Sequence, residues 1–301
     1  MDKVVVLTGP TAIGKTQISL DIAKHFKTEI INADASQFRR GLNIGTAKID
    51  LDSVDVVHHL IDIIEIEENF SIKDYQTLAR QKITEFKNKG ILPFLVGGSG
   101  LYINSVIYNY ELTDTERDYK FEEEKYNSYN NEELHKLLEK LDFEASKTIH
   151  PNNRRRVLRA IERAKIGEKI SSFNQGNQLV YDALVIELTT DREVLYDRIN
   201  QRFNVMIEEG WLKEVKELIR NNIDLTKIKD IGYKELGLYL EGKYEFEEVS
   251  ELIKKQTRNL AKRQLTWFRN KMATTKVNVD YTNPSHTTNE IIKLISDFLN
   301  K

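Results

Sequence analysis

With 301 residues, 40% of them hydrophobic and 31% charged, the chain is long enough for one large or two modest domains around a real core. The absence of cysteine excludes disulfides, thiolate zinc sites and thiol catalysis. A net charge of −2 argues for no class of partner, no apolar run approaches the ~20 residues of a membrane span, and the first residues enter a strand at once. No signal or transit peptide fits that start, and a cytoplasmic protein is expected.

Val4-Val5-Val6-Leu7 predicts a buried parallel strand, and Gln17–Phe26 has the apolar spacing of a helix, through Ile18, Leu20, Ile22, Ala23 and Phe26. Between them lies GPTAIGKT, Gly9-Pro10-Thr11-Ala12-Ile13-Gly14-Lys15-Thr16. Strand, glycine-rich turn with Gly-Lys-Thr, then helix is the context in which this pattern cradles phosphate. Loop N–H groups and the positive helix end meet phosphate oxygens, Lys15 adds a point charge, and the Thr16 hydroxyl is placed to ligand Mg2+. A glycine turn that merely packs is the structural alternative.

Glu29–Ile31 predicts a short second strand and Leu60–Ile64 a third; Ser71–Lys87 reads as a helix behind a serine cap. Pro93–Val96 is a strand that ends in Gly97-Gly98-Ser99-Gly100. From Asn109 to Ile149 the alternation breaks, in a Tyr- and Glu-rich stretch whose Glu132–Leu141 looks helical; it reads as an inserted lobe or a solvated hairpin. Ala183–Leu188 resumes the strands and Asp191–Ile199 follows as a helix. After Val205 the chain reads as helical throughout, over Ile207–Arg220, Tyr233–Leu240 and Phe246–Trp267. The expected architecture is α/β: a P-loop NTPase-like parallel sheet core over 1–108, an inserted helical lobe over 109–149, and the rest of the core with a helical C-terminal part over 150–301.

Residues just beyond the strands of an open parallel sheet converge on one edge. Asn32-Ala33-Asp34-Ala35-Ser36-Gln37 and Gly97–Gly100 should therefore face the phosphate loop. Asp34 is the candidate general base, or a turn cap; Ser99 is a candidate catalytic hydroxyl, or part of a tight turn. Arg39 and Arg40 fit a second anion or a solvated surface. His58 and His59, without cysteine or clustered carboxylates, do not suggest zinc.

Positive charge is gathered in two stretches. His150–Lys165 has six basic residues, Arg154, Arg155, Arg156, Arg159, Arg163 and Lys165, against the single acid Glu162. Lys254–Lys271 has seven, including Arg258, Lys262 and Arg263, and no acid. As helices, both put cations on one side and Val157, Leu158, Ile161 or Ala261, Trp267, Phe268 on the other, a pattern for phosphate-backbone contact or for bare surface charge.

In this setting the chain resembles the bacterial tRNA dimethylallyltransferase family, prenyltransferases that modify the adenine beside the anticodon. The motifs that carry the resemblance are the phosphate loop, Gly41–Lys48 (GLNIGTAK), His58–Asp62 (HHLID), Pro93–Tyr102 (PFLVGGSGLY), His150–Glu162, Arg198–Val215, Ile231–Glu235 (IGYKE) and Thr257–Arg269. The resemblance implies transfer of a dimethylallyl group from dimethylallyl diphosphate to the N6 amine of that adenine in tRNAs reading U-starting codons, by a monomer that uses Mg2+ and does not hydrolyse ATP. It implies that Asp34 is the catalytic aspartate, that Ser99 stands for a usual threonine, and that Arg117 meets the diphosphate. It places Asp34, Ala35, Ser36, Gln37, Gly100, Arg154, Arg155, Arg156, Val157, Leu158, Arg258 and Lys262 toward the tRNA anticodon stem-loop. The chain departs from the family pattern Asp-Ser-x-Gln-x-Tyr at Ala35 and Arg39. A small-molecule kinase, a free-nucleotide isopentenyltransferase and a non-catalytic RNA-binding switch are the other readings of the same residues.

Overall fold

The computed structural model describes residues 1–112, 119–172 and 175–301. They form two compact units, one of Met1–Ile107 with Leu179–Lys301 and one of Tyr108–Gln178.

The first unit is built on β1 (Lys3–Thr8), whose six residues are apolar but for its ends and almost wholly buried, as a central parallel strand must be. The phosphate loop leads from it into α1 (Lys15–Phe26), and β2 (Ile30–Asn32) follows. The third strand, β3, is only His58–His59. The expected strand over Leu60–Ile64 does not form: Leu60 (φ 61°) and Asp62 (φ 52°) have left-handed backbones that no strand accommodates. Their apolar neighbours are buried from a turn instead, which Lys48 pins through Asp62 (2.5 Å) and Asn32 through the Leu60 carbonyl (3.0 Å). Next come α2 (Ile72–Asn88), opened by a capping box of Ser71 and Asp74, then β4 (Phe94–Gly97) and α3 (Gly100–Ile107).

The second unit holds β5 (Tyr108–Tyr110), α4 (Tyr119–Lys125), α5 (Asn131–Leu141), α6 (Phe143–Thr148) and α7 (Arg154–Lys165). The strand β6 (Gln175–Leu179) closes it by pairing with β5. It is thus longer than the inserted lobe expected from sequence, because Val157, Leu158, Ala160 and Ile161 of α7 share one core with Leu134, Leu138 and Ala145.

The first unit resumes with β7 (Asp182–Thr189), α8 (Arg192–Glu208), α9 (Trp211–Arg220), α10 (Tyr233–Leu240) and α11 (Phe246–Lys271). Its tail is not all helical: β8 (Thr275–Asn278) adds an edge strand before α12 (Pro284–Leu299). The sheet order is β3-β2-β4-β1-β7-β8, and each neighbouring pair in it is parallel. The last helix completes the core on the α1 side, where Ile291 and Ile295 join Ile18 and Ile22. Among the described residues no helix is long and apolar enough to cross a membrane.

Candidate active site

The strand order places β1 between β4 and β7, so the phosphate loop opens at the carboxyl edge of the sheet. Two glycines shape it. Gly9 lies so close to β7 that a Cβ would sit 3.0 Å from the Leu188 carbonyl, and Gly14 (φ 104°) takes the left-handed turn into α1. Lys15 Nζ donates to the carbonyls of Gly9 and Pro10, both at 2.9 Å, while Ile13 is fully buried below. Burial lowers the Lys15 ammonium to about 8; nearby Asp34 opposes that shift and Arg202 adds to it.

Residues distant in sequence hold the loop from above. Gln264 of α11 accepts from the Thr11 N–H (2.9 Å) and donates to the Gly98 carbonyl (3.0 Å), bridging the phosphate loop to the end of β4. On α8, Arg198 Nε donates to the Ala12 carbonyl (3.0 Å) and Arg202 Nη1 to Thr11 Oγ1 (3.4 Å). Burial lowers the Arg202 guanidinium from its ordinary value, against the opposing charges of Asp34 and Glu209.

Thr11, Ala12, Gly14, Lys15 and Thr16 line a 380 Å³ cavity that also takes in Asp34, Gln37, Arg198 and Arg202. A second cavity of 240 Å³ shares Thr11, Ala12, Asp34 and Arg202, and continues to Ser36, Ser99, Phe203, Trp211, Asp230 and Gln264. Asp34 belongs to both. The carboxylate is the N-cap of a 3-10 turn, Ala35–Gln37, accepting from the Ser36 N–H at 3.3 Å. Its turn role and its place beside the phosphate loop therefore coexist. Ser99 Oγ accepts from the Ala35 N–H (3.0 Å), so this hydroxyl ties the Asp34 turn to the end of β4 and keeps its own proton to donate into the cavity. Gln37 reaches the first cavity and bonds weakly to the Ala47 carbonyl (3.4 Å).

Other expected residues are placed differently. Gly100 opens α3 against Trp267, whose Cδ1 a Cβ there would meet at 2.2 Å, so it serves close packing and is absent from both cavity walls. Val157 and Leu158 are fully buried in the core of the second unit, where their side chains cannot touch RNA. Arg154 is spent within that unit, on Glu123 (2.5 Å) and the carbonyls of Tyr126 and Tyr129 (both 2.8 Å). Arg155 and Arg156 are exposed on α7, and Lys262 on α11, while Arg258 turns to Asn200 (2.7 Å). Arg117 lies outside the described residues. His58 and His59 are both half-buried, and His59 pairs with Glu29 at 2.5 Å.

Sequence reasoning passed over Arg198, Arg202, Gln264 and Asp230. The signal for the arginines was present: they stand at i, i+4 on a helix whose buried side is Leu195, Ile199 and Phe203. Gln264 gave no such signal, since a glutamine within a basic helix reads as surface.

The family model for IPP transferase matches residues 37–271. The chain belongs to the IPP transferase family. It is 47% identical over 280 residues to a tRNA dimethylallyltransferase of Bacillus subtilis, covering 90% of this chain and 89% of that protein. The crystal structure of the full-length tRNA isopentenylpyrophosphate transferase from Bacillus halodurans superposes with a TM-score of 0.74 at 43% identity, covering 100% of this chain and 97% of the other. A eukaryotic dimethylallyltransferase captured acting on tRNA gives 0.84 at 26% identity, over 100% and 80%. The family motifs lie on this geometry: the phosphate loop and Pro93–Tyr102 at the sheet edge, Arg198–Val215 and Thr257–Arg269 above it.

Proposed function

We propose that this chain transfers the dimethylallyl group of dimethylallyl diphosphate to the N6 amine of the adenine beside the anticodon, in tRNAs reading U-starting codons. One observation carries the reading: the Asp34 carboxylate and the Lys15 ammonium line one cavity and sense each other's charge.

The allylic C1–O bond breaks with its electron pair leaving on the diphosphate. Loop N–H groups, Lys15, Arg198 and Arg202 supply the charge that stabilises that leaving group. An aromatic amine is a weak nucleophile, so Asp34 accepts an N6 proton as the N6–C1 bond forms. Ser99 supports Asp34 through the Ala35 N–H. The adenine leaves its stack to enter the 240 Å³ cavity. Exposed cations of α7 (Arg155, Arg156) and α11 (Lys262) meet the anticodon stem-loop phosphates.

Magnesium fits this reading through the Thr16 hydroxyl, on the cavity wall at the first turn of α1. Among the described residues no group of three His, Asp or Glu is arranged for a metal, so the ion's other ligands would be diphosphate oxygens and water. When bound, it neutralises charge on the departing diphosphate. Action as a monomer in the cytoplasm belongs to the same reading.

The test is transfer of radiolabelled dimethylallyl from its diphosphate, with unmodified tRNA, AMP and ATP as competing acceptors. Label in tRNA alone is the expected result, with Asp34→Ala inactive yet still binding inorganic diphosphate. Label in AMP, or ATP-dependent phosphorylation of a small acceptor without prenyl transfer, would replace the proposal with one of its alternatives.

A further inference from the structure

Lys15, Arg198 and Arg202 converge on the 380 Å³ cavity. Like charges brought together repel, so each needs a hold that leaves its charge available to an anion. Lys15 has the carbonyls of Gly9 and Pro10, and Arg202 has the Thr11 hydroxyl. Arg198, half-buried, gives its Nε–H to the Ala12 carbonyl at 3.0 Å, and its Cζ lies 4.1 Å from the centre of the Tyr281 ring. That distance is well inside the ~6 Å reach of a cation over an aromatic face.

Tyr281 arrives here from the far end of the chain. β8 runs parallel to β7, and the Val279 N–H carries the pairing one step further, to the Thr189 carbonyl at 2.9 Å. The chain then turns around Asp280. Its carboxylate accepts from the Thr282 N–H (2.9 Å), the Thr282 hydroxyl (2.6 Å) and the Asn283 N–H (2.9 Å), and its own N–H donates to Thr287 Oγ1 (2.9 Å). A residue just past the carboxyl end of a parallel strand stands at the ligand edge of the sheet. Tyr281 meets the phosphate site there twice, with its ring against Arg198 and its hydroxyl donating to the Ile13 carbonyl at 3.1 Å. Burial raises the Tyr281 hydroxyl above its ordinary value, against the Arg198 charge, so it stays a neutral donor. At 3.1 Å the bond is long for an O–H donor, which makes the ring the stronger hold.

We propose that Tyr281 is a positioning residue for the diphosphate site, its ring holding the Arg198 guanidinium at the cavity wall. The proposal rests on the reading of that cavity as the diphosphate cradle. An aromatic face attracts a cation through its quadrupole and brings no opposite charge. A carboxylate in its place would also hold Arg198, but it would cancel the charge that the leaving group needs. Tyr281 lines neither cavity and touches no reacting atom; its effect passes through Arg198.

The experiment uses the full chain with Tyr281→Phe, with Tyr281→Leu, or with pentafluorophenylalanine in place of Tyr281. Fluorination nearly preserves the size of the ring but reverses the quadrupole that attracts the cation. Each variant is titrated with inorganic diphosphate, assayed for prenyl transfer to tRNA and melted. Tyr281→Phe keeps the ring and should stay within about threefold of wild type in diphosphate affinity. Tyr281→Leu and the fluorinated ring should each weaken that affinity about tenfold. For both, kcat/KM for the prenyl diphosphate should fall in step, with KM for tRNA unchanged. In an Arg198→Ala background, Tyr281→Leu should cost no further affinity, because its partner is already gone. A fluorinated ring that binds diphosphate as well as Tyr281→Phe would overturn the proposal. So would a Tyr281→Leu loss that persists in full beside Arg198→Ala, or a lower melting temperature with wild-type affinity. If Tyr281→Leu does not fold, the comparison of Tyr281→Phe with the fluorinated ring still decides. Failure of the prenyl-transfer reading would show in the wild type, as no label in tRNA, whereas the role of Tyr281 is judged on inorganic diphosphate.

Discussion

Gln264 provides the sharpest test of how the phosphate loop is held. Its side chain accepts from the Thr11 N–H at 2.9 Å and donates to the Gly98 carbonyl at 3.0 Å. Gln264→Leu removes both bonds at nearly constant volume. At about 1 kcal/mol net for each, roughly 2 kcal/mol of loop positioning is lost. If all of that serves ligand binding, KM for the prenyl diphosphate rises roughly thirtyfold. Gln264→Glu keeps the Thr11 bond but turns a carboxylate toward the Gly98 carbonyl and adds negative charge at the loop, so its KM should rise further. The assay is dimethylallyl transfer at saturating tRNA with varied diphosphate, beside calorimetric titration with inorganic diphosphate. Wild-type KM in both variants would refute the clamp. A lower melting temperature with unchanged KM would reduce Gln264 to a packing residue.

Lys15 should impose two opposite pH dependences. Its ammonium titrates near 8 in the free protein, so as pH rises through that value diphosphate affinity should fall, about tenfold for each further unit if only the charged form binds. A flat KM profile from pH 7 to 9.5 would contradict this. In the unfolded chain the same group keeps its proton up to its ordinary value of 10.5, so its depressed folded value costs stability below pH 8 and the cost is relieved between about 8 and 10.5. Denaturant unfolding of wild type against Lys15→Met reads that slope. Gly232→Ala should destabilise by about 3 kcal/mol, lowering the melting temperature by roughly 6–12 °C, because φ is 101° and the new Cβ would lie 2.2 Å from Trp211 Cη2. On α7 the arginines should separate: Arg156→Ala weakens tRNA binding and flattens its salt dependence by ~0.7–0.9 in log–log slope, whereas Arg154→Ala lowers stability through the lost Glu123 and carbonyl bonds. Equal salt slopes for the two variants would refute the division.

Local patterns in the chain determined a good deal. An apolar β1, a glycine turn and the spacing of Ile18 and Ile22 specify strand, phosphate loop and helix, because these depend on backbone freedom and near-neighbour burial. The sheet-edge rule then brought Asp34 and Ser99 to the loop without knowledge of any contact. Where local patterns failed, distant residues decided. Leu60–Ile64 is apolar enough for a strand, yet Lys48 and Asn32 fix it as a turn. Thr275–Asn278 carries little strand signal and becomes a strand because β7 offers a free edge. Val157 and Leu158 continue an arginine run, and the core shared with α5 and α6 turns them inward. The identities of Arg198, Arg202, Gln264 and Asp230 were always readable, but their places were not. Arg198, Arg202 and Gln264 each act across more than 160 residues of chain, through a bond that exists only after the sheet has brought its partner near.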